Sequence, residues 1–298
     1  MHILPFRFPA HAGAVLVVFC LTAVGQQPNP PAGSSTAAAP SQAAPSAQPA
    51  PTSALDDQWL AGVASLYYSS AKAGLNAFEC VVHPDWNSLF VSAQKDSAAA
   101  ADPRVSLLNT VKITLHGRMK GGSTLDWTPA QSQDRPLDPD SVRMLGQMRA
   151  ATESTLEGFM QFWTPFVNGS IVPIRSAGLQ ITHSAAGHTI YGVQSGTEVT
   201  EIFNNGEILQ QFNVKVNGAS IEFMPAYQST EKGLLVNRFV ARIVPTGASP
   251  GGVQEMHVRI EYQTVGGFFI PGHLSMEISR AGAFNFMLDG CTVNPPDH

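Results

Sequence analysis

From Thr197 to Val293, apolar and polar residues alternate in run after run, interrupted by short turns of glycine, asparagine and proline. A period of two sends successive side chains to opposite faces, so these runs predict strands with one dry and one wet side. Links this short join antiparallel neighbours, and the whole stretch therefore reads as a β-meander. Asn205-Gly206 and Asn217-Gly218 stand between alternating runs and predict two-residue type I′ hairpins, because Asn-Gly supplies the positive φ angles that turn needs.

The predicted strands from Gly178 onward are Leu179–Ser184, His188–Gln194, Thr197–Asn204, Glu207–Val216, Ser220–Met224, Leu234–Val244, Val253–Gln263, Phe269–Ser279 and Ala283–Val293. Met256, Val258, Ile260 and Tyr262 share one face against Glu255, His257, Arg259 and Glu261; Leu274, Met276 and Ile278 oppose His273, Ser275 and Glu277. A sheet wet on one side is antiparallel rather than parallel. Its dry face should gather Phe212, Val214, Ile221, Phe223, Met256, Val258, Ile260, Leu274, Met276, Ile278, Phe284 and Phe286.

Ahead of the meander the chain changes character several times. Residues 1–25 have the form of a secretory signal, with Arg7, an apolar run from Ala14 and small residues at Ala23-Val-Gly25 for cleavage. That run is too short for a permanent membrane span, so no transmembrane anchor is expected. Cys20 follows bulky Phe19, where lipid attachment would want a small residue. Residues 26–56 are mostly proline, alanine, serine, glutamine and glycine, a disordered linker with nothing to bury. Residues 57–298 read as one domain, and the chain left after signal removal carries 16 basic against 22 acidic residues, a balance unlike a nucleic-acid footprint.

Asp56 and Asp57 predict the start of an amphipathic helix carrying Trp59, Val63, Leu66, Tyr67 and Ala71 on one stripe and stopping at Gly74. Strands follow at Ala77–Val82 and Leu107–His116, and then a polar excursion from Ser123 to Asp138. Asp138-Pro139-Asp140 opens a second helix, whose stripe is Leu145, Met148, Thr152, Leu156, Phe159, Met160 and Trp163 and which Pro165 should end. Such a stripe is either plain core or a movable lid, since methionine adapts to varied partners.

Catalytic and metal chemistry find no footing. Gly247-Ala-Ser249-Pro-Gly251 has nucleophile-elbow spacing, but Pro250 lacks the N–H that the oxyanion hole requires. His183 and His188 flank a turn, while His257 and His273 fall on wet faces near Glu261 and Glu277 as cross-strand polar pairs. Asn168-Gly-Ser170 fits a glycosylation sequon. Cys80 and Cys291 are the two cysteines left after signal removal, and export predicts a disulfide between them.

Gly267-Phe-Phe-Ile-Pro271 and Cys291-Thr-Val-Asn-Pro-Pro296 resemble the periplasmic lipoprotein carrier LolA and the LppX/LprG-like lipid-binding proteins. The order of signal, helix, strands, inserted helix and meander is similar as well. The resemblance implies an α+β fold, an unclosed β-barrel wrapped around helices, with an apolar cavity for acyl chains. It implies an exported, non-enzymatic carrier or sensor of lipid or lipidated protein, without cofactor, handing its load to an envelope partner. The ligand would lie against the dry face and the Phe159-Met160-Trp163 end of the second helix. The rival expectation is a structural or protein-binding envelope module whose concave face is filled by side chains.

Overall fold

The computed structural model describes residues 54–88, 103–120, 122–128, 138–168, 171–173, 178–194, 197–216, 219–245, 253–279 and 282–295. The signal, nearly all of the linker and the Gly247–Gly251 loop lie outside them. The fold is α+β: twelve strands form one antiparallel, unclosed sheet, accompanied by four helices among the described residues. In chain order these are α1 (Ala54–Ser65), α2 (Ser70–Ala73), β1 (Ala77–Pro84), α3 (Pro103–Leu108), β2 (Lys112–Arg118), β3 (Gly122–Thr128) and α4 (Pro139–Val167). The meander follows as β4 (Leu179–Ser184), β5 (Gly187–Gln194), β6 (Thr197–Asn204), β7 (Leu209–Val216), β8 (Ala219–Thr230) and β9 (Gly233–Pro245). It closes with β10 (Gln254–Val265), β11 (Phe268–Ile278) and β12 (Gly282–Val293).

The strand order is β3-β2-β1-β12-β11-β10-β9-β8-β7-β6-β5-β4. Strands β3 and β4, joined in sequence through α4, therefore stand at opposite edges, and α4 is the strap between them. The helix is long enough for this, since 29 residues rise roughly 43 Å. Strand β12 returns to pair with β1, and the Cys80–Cys291 disulfide crosses that seam, joining residues 211 apart in sequence.

One end of the half-barrel is plugged. Leu60, Val63, Ala64 and Tyr67 are buried beneath α1, and after Ser65 the chain makes a parallel bridge in which Tyr68 N donates to Leu234 O (2.9 Å). This close approach requires Gly233, with φ +111°, because a Cβ there would sit 2.8 Å from Leu66 O. At the same end Asn168, the C-cap of α4, gathers three elements. Its carbonyl and side-chain oxygens accept from Ser69 (2.8 Å) and Ser70 (2.7 Å), and its amide donates to Met119 O (3.0 Å). The sequon asparagine is thus committed to a structural knot. Asn294, with φ +46°, stitches the end of β12 to the start of β1 by accepting from Asn76 N (2.7 Å) and donating to Gly74 O (3.0 Å).

Several expectations are corrected. The first helix is two, α1 and α2, and begins at Ala54 rather than after the linker; Leu66 and Ala71 are exposed because the chain turns between the helices. Gly74 is indeed the left-handed stop, but of α2. Leu107 and Leu108 belong to α3, since Pro103 suits a first helical turn and the strand alternation starts only at Lys112. The polar excursion contains β3, whose inward side rests on Leu125 and Trp127. Helix α4 continues through Pro165 to Val167, with the proline inside the last turn, where it forgoes a single N–H bond to the carbonyl four residues back and only two helical residues follow it. The Asn205-Gly206 loop is not type I′. Glu207, not Gly206, takes the left-handed conformation (φ +60°), Glu207 N donates to Asn204 O, and the Asn204 side chain accepts from Gly206 N and Ile208 N. The two-residue hairpin with both positions at positive φ is Gly266-Gly267, between paired Val265 and Phe268. Asn217-Gly218 lies outside the described residues, although Val216 pairs with Ala219 across it.

Candidate functional site

The alternation that makes strands also makes the site, because inward residues of the curved sheet and the buried face of α4 fall in one apolar cluster. Phe159, Met160 and Trp163 on the helix and Phe212, Ile221, Phe223, Val258, Ile260, Leu274, Met276 and Phe286 on the sheet are all buried in one apolar cluster. Val214, Met256 and Phe284 join it half-buried. The structure therefore brings together the residues expected on the dry face except Ile278, which stays half-buried at the end of its strand outside the cluster.

Burial is graded along the strands. Toward the plugged end, Phe159 stacks on Trp163 (6.1 Å), Trp163 meets Phe78 edge-on (5.9 Å), and Trp163 Nε1 donates to the Tyr262 hydroxyl at 2.9 Å. Tyr262 in turn donates to Val236 O, and burial raises its pKa well beyond the usual tyrosine range. This end is closed by side chains. At the opposite end the inward row is Val199, Val214, Ile243, Met256, Ile278 and Phe284, all half-buried and apolar. The C-terminus of α4 is knotted at the plugged end, so its N-terminal half runs away from the plug. Met144, Leu145 and Met148 there are only partly covered, and Val142 is 56% exposed. Phe162, absent from the expected stripe, reaches Phe223 at 4.8 Å between ring centroids.

Sequence reasoning also missed a polar element inside the dry face. On β6, Val199, Glu201 and Phe203 point inward together, and Glu201 is only 4% exposed. Its neighbours in register are Ile190 on β5 and Phe212 on β7, both buried. Burial pushes the Glu201 carboxyl well above the ordinary carboxylate range, and Oε2 has no hydrogen-bond partner in the protein. Tyr227 on β8 is in the same state: burial raises its pKa, and its hydroxyl lies beside that of Tyr67 without a well-formed bond. The Tyr67 and Tyr227 rings are 5.3 Å apart. Tyr67, pushed up to about 12 mainly by burial, accepts from Leu209 N at 2.8 Å. The signal was available: if Val199 and Phe203 face inward, Glu201 must as well.

The exposed histidines form clamps. His183 and His188 touch through their Nδ1 atoms (2.7 Å), His183 Nε2 meets Asp56 (3.2 Å), and Trp59 packs on both rings while donating to Glu207 (3.0 Å). This ties α1 to the β4–β5 hairpin. His273 faces Glu261 across strands (3.8 Å), as expected, whereas His257 bonds Glu255 on its own strand (2.7 Å). Among the described residues no group of three or more His, Cys, Asp or Glu side chains is arranged to hold a metal ion. No described helix is long and apolar enough to cross a membrane.

Compared with known proteins, the chain matches no family model, no curated protein and no solved structure.

Proposed function

We propose that this chain is an exported, non-enzymatic carrier or sensor that holds the acyl chain of a lipid, or of a lipidated protein, along the concave face of its sheet. The observation that carries the reading is the graded burial of that face. A continuous apolar surface passes from a packed, plugged end to a half-buried rim of Val214, Met256 and Phe284, roofed by a single helix whose N-terminal half is loosely covered. A sheet built only to pack α4 would gain from sealing both ends, since each half-exposed aliphatic residue forgoes part of its burial energy. The Met144, Leu145 and Met148 side chains at that rim can re-pack around ligands of varied shape. The disulfide supports a periplasmic or secreted location, where such bonds persist.

The rival module with a filled core has its own observation, the fully packed Phe159-Trp163-Phe78 group. Native mass spectrometry of protein purified without detergent separates the two. Co-purified lipid, or saturable binding of a fluorescent long-chain probe, is the expected result. A bare protein that binds no probe would leave the structural module.

A further inference from the structure

A dry face that binds only hydrocarbon has no use for a carboxyl group in its middle. Glu201 sits two residues inward of rim residue Val199 and two short of Phe203 at the plug, so it lies within the trough rather than at its mouth. Burying Glu201 Oε2 between Ile190 and Phe212 without a partner is costly, and the Tyr227 hydroxyl nearby has no more than its ill-formed contact with the Tyr67 hydroxyl. A third such atom, Thr155 Oγ1, is on the buried side of α4, where a threonine normally bonds back to its own helix. The sheet and the helix that roofs it thus both direct unpaired polar atoms into the same apolar interior.

From this arrangement we infer that Glu201 and Tyr227 form a polar seat inside the trough for an uncharged hydrogen-bonding group, an ester, amide or hydroxyl, of an otherwise apolar ligand. The inference rests on the carrier reading above and names its ligand class. A neutral carboxylic acid offers one O–H donor and acceptor oxygens, and the tyrosine hydroxyl offers the same pair, so the seat matches a carbonyl, an amide N–H or an alcohol. It does not match an anion. The buried polar side chains among the described residues are Ser69, Ser70, Thr152, Thr155 and Glu201, with no lysine or arginine to meet a phosphate or an ionised fatty acid. An anionic head placed there would also face the Glu201 carboxyl.

The test uses the exported chain from Gln26 onward, stripped of lipid, and a pair of fluorescent probes of equal chain length. One is a fatty acid and the other is its monoacylglycerol ester, at a pH where the acid is ionised in water. The ester should bind at least tenfold more tightly. Glu201→Leu and Tyr227→Phe should each weaken ester binding by roughly five- to hundredfold, the cost of a hydrogen bond left unmade in a dry site. Glu201→Gln, which keeps a donor and an acceptor in place, should recover most of it. An isotope-edited infrared spectrum of the wild type gives a readout that needs no folded variant: the Glu201 carboxyl band should shift when the ester is added. Equal affinity for both probes, with binding unaffected in Glu201→Leu and no band shift, would overturn the polar seat while leaving the carrier reading intact. Failure of the wild type to bind either probe would overturn both.

Discussion

Opening the Cys80–Cys291 bond should lower the melting temperature by far more than the loss of a contact would. The bond joins residues 211 apart, so in the unfolded chain it closes a loop covering most of the domain. The chain-entropy relation gives about 5 kcal/mol for a loop of that size, and removal of native disulfides commonly costs about 2–5 kcal/mol. For a domain of roughly this length each kcal/mol moves the melting temperature by about 2–4 °C, so a fall of about 10–20 °C is expected. The strand pairs around the bond, from Phe78–Val293 to Pro84–Phe286, do not depend on it and should survive. Near-ultraviolet circular dichroism at 20 °C should therefore stay native in both reduced wild type and the Cys80→Ala/Cys291→Ala double variant. Measuring both forms matters, because reduction keeps the sulfur atoms in the core while the double variant also leaves a small void. A fall below about 4 °C in the reduced protein, with both thiols shown free by labelling, would mean that the unfolded chain already holds its ends together.

Other outcomes follow from single residues. Glu201 has a folded pKa raised above its unfolded value, so it lowers stability as pH rises past the ordinary carboxylate range, by up to about 1.4 kcal/mol per pH unit until the folded pKa is reached. Tyr67 and Tyr227 are the titratable groups beside it, and both stay neutral in this range. Glu201→Gln should accordingly raise the melting temperature more at pH 8 than at pH 4, and an equal shift at both would refute the burial argument. Val258→Glu and Ile260→Glu each put an uncompensated charge on the packed part of the concave face; a loss of about 3–5 kcal/mol in urea melts is expected, and one under about 1 kcal/mol would show that water reaches it. Asn168→Ala removes one donor and one acceptor that bind Met119 and Ser70, and should cost about 1–3 kcal/mol. If Asn168 instead carried a glycan, mass spectrometry of glycosylated host material would reveal it and the knot would have to open.

The sheet was legible because alternation is written into many residues at once. Met256 to Tyr262 and Leu274 to Ile278 each repeat the same in-out choice, so no single exception can blur the register. Strand β3 was hidden because only Leu125 and Trp127 mark its inward side, in a stretch otherwise rich in serine, threonine and aspartate. Glu207 took the left-handed position expected of Gly206 because the Asn204 side chain accepts from two backbone amides and so dictates the turn. The convergence of the dry face on Trp163 could be expected from pattern, but the order that sets β3 and β4 at opposite edges comes from long-range pairing that no local signal encodes. Glu201 escaped for another reason. A glutamate in an alternating strand reads as a solvent residue, and Val199 and Phe203 on either side of it are outweighed by that habit.

The pairing of β12 with β1 also sets a timetable. Phe78 finds its partner only at Val293, more than two hundred residues later, so β1 to β3 have no neighbour on one side until nearly all of the chain is available. Strands β4 to β12, by contrast, can zip hairpin by hairpin from local turns. A chain delivered N-terminus first would hold the β1 edge of its opening three strands unpaired throughout delivery, exposed to other chains. The last strand to arrive is the one that makes the molecule whole, and a nascent chain stalled before β12 would be left as two sheets instead of one.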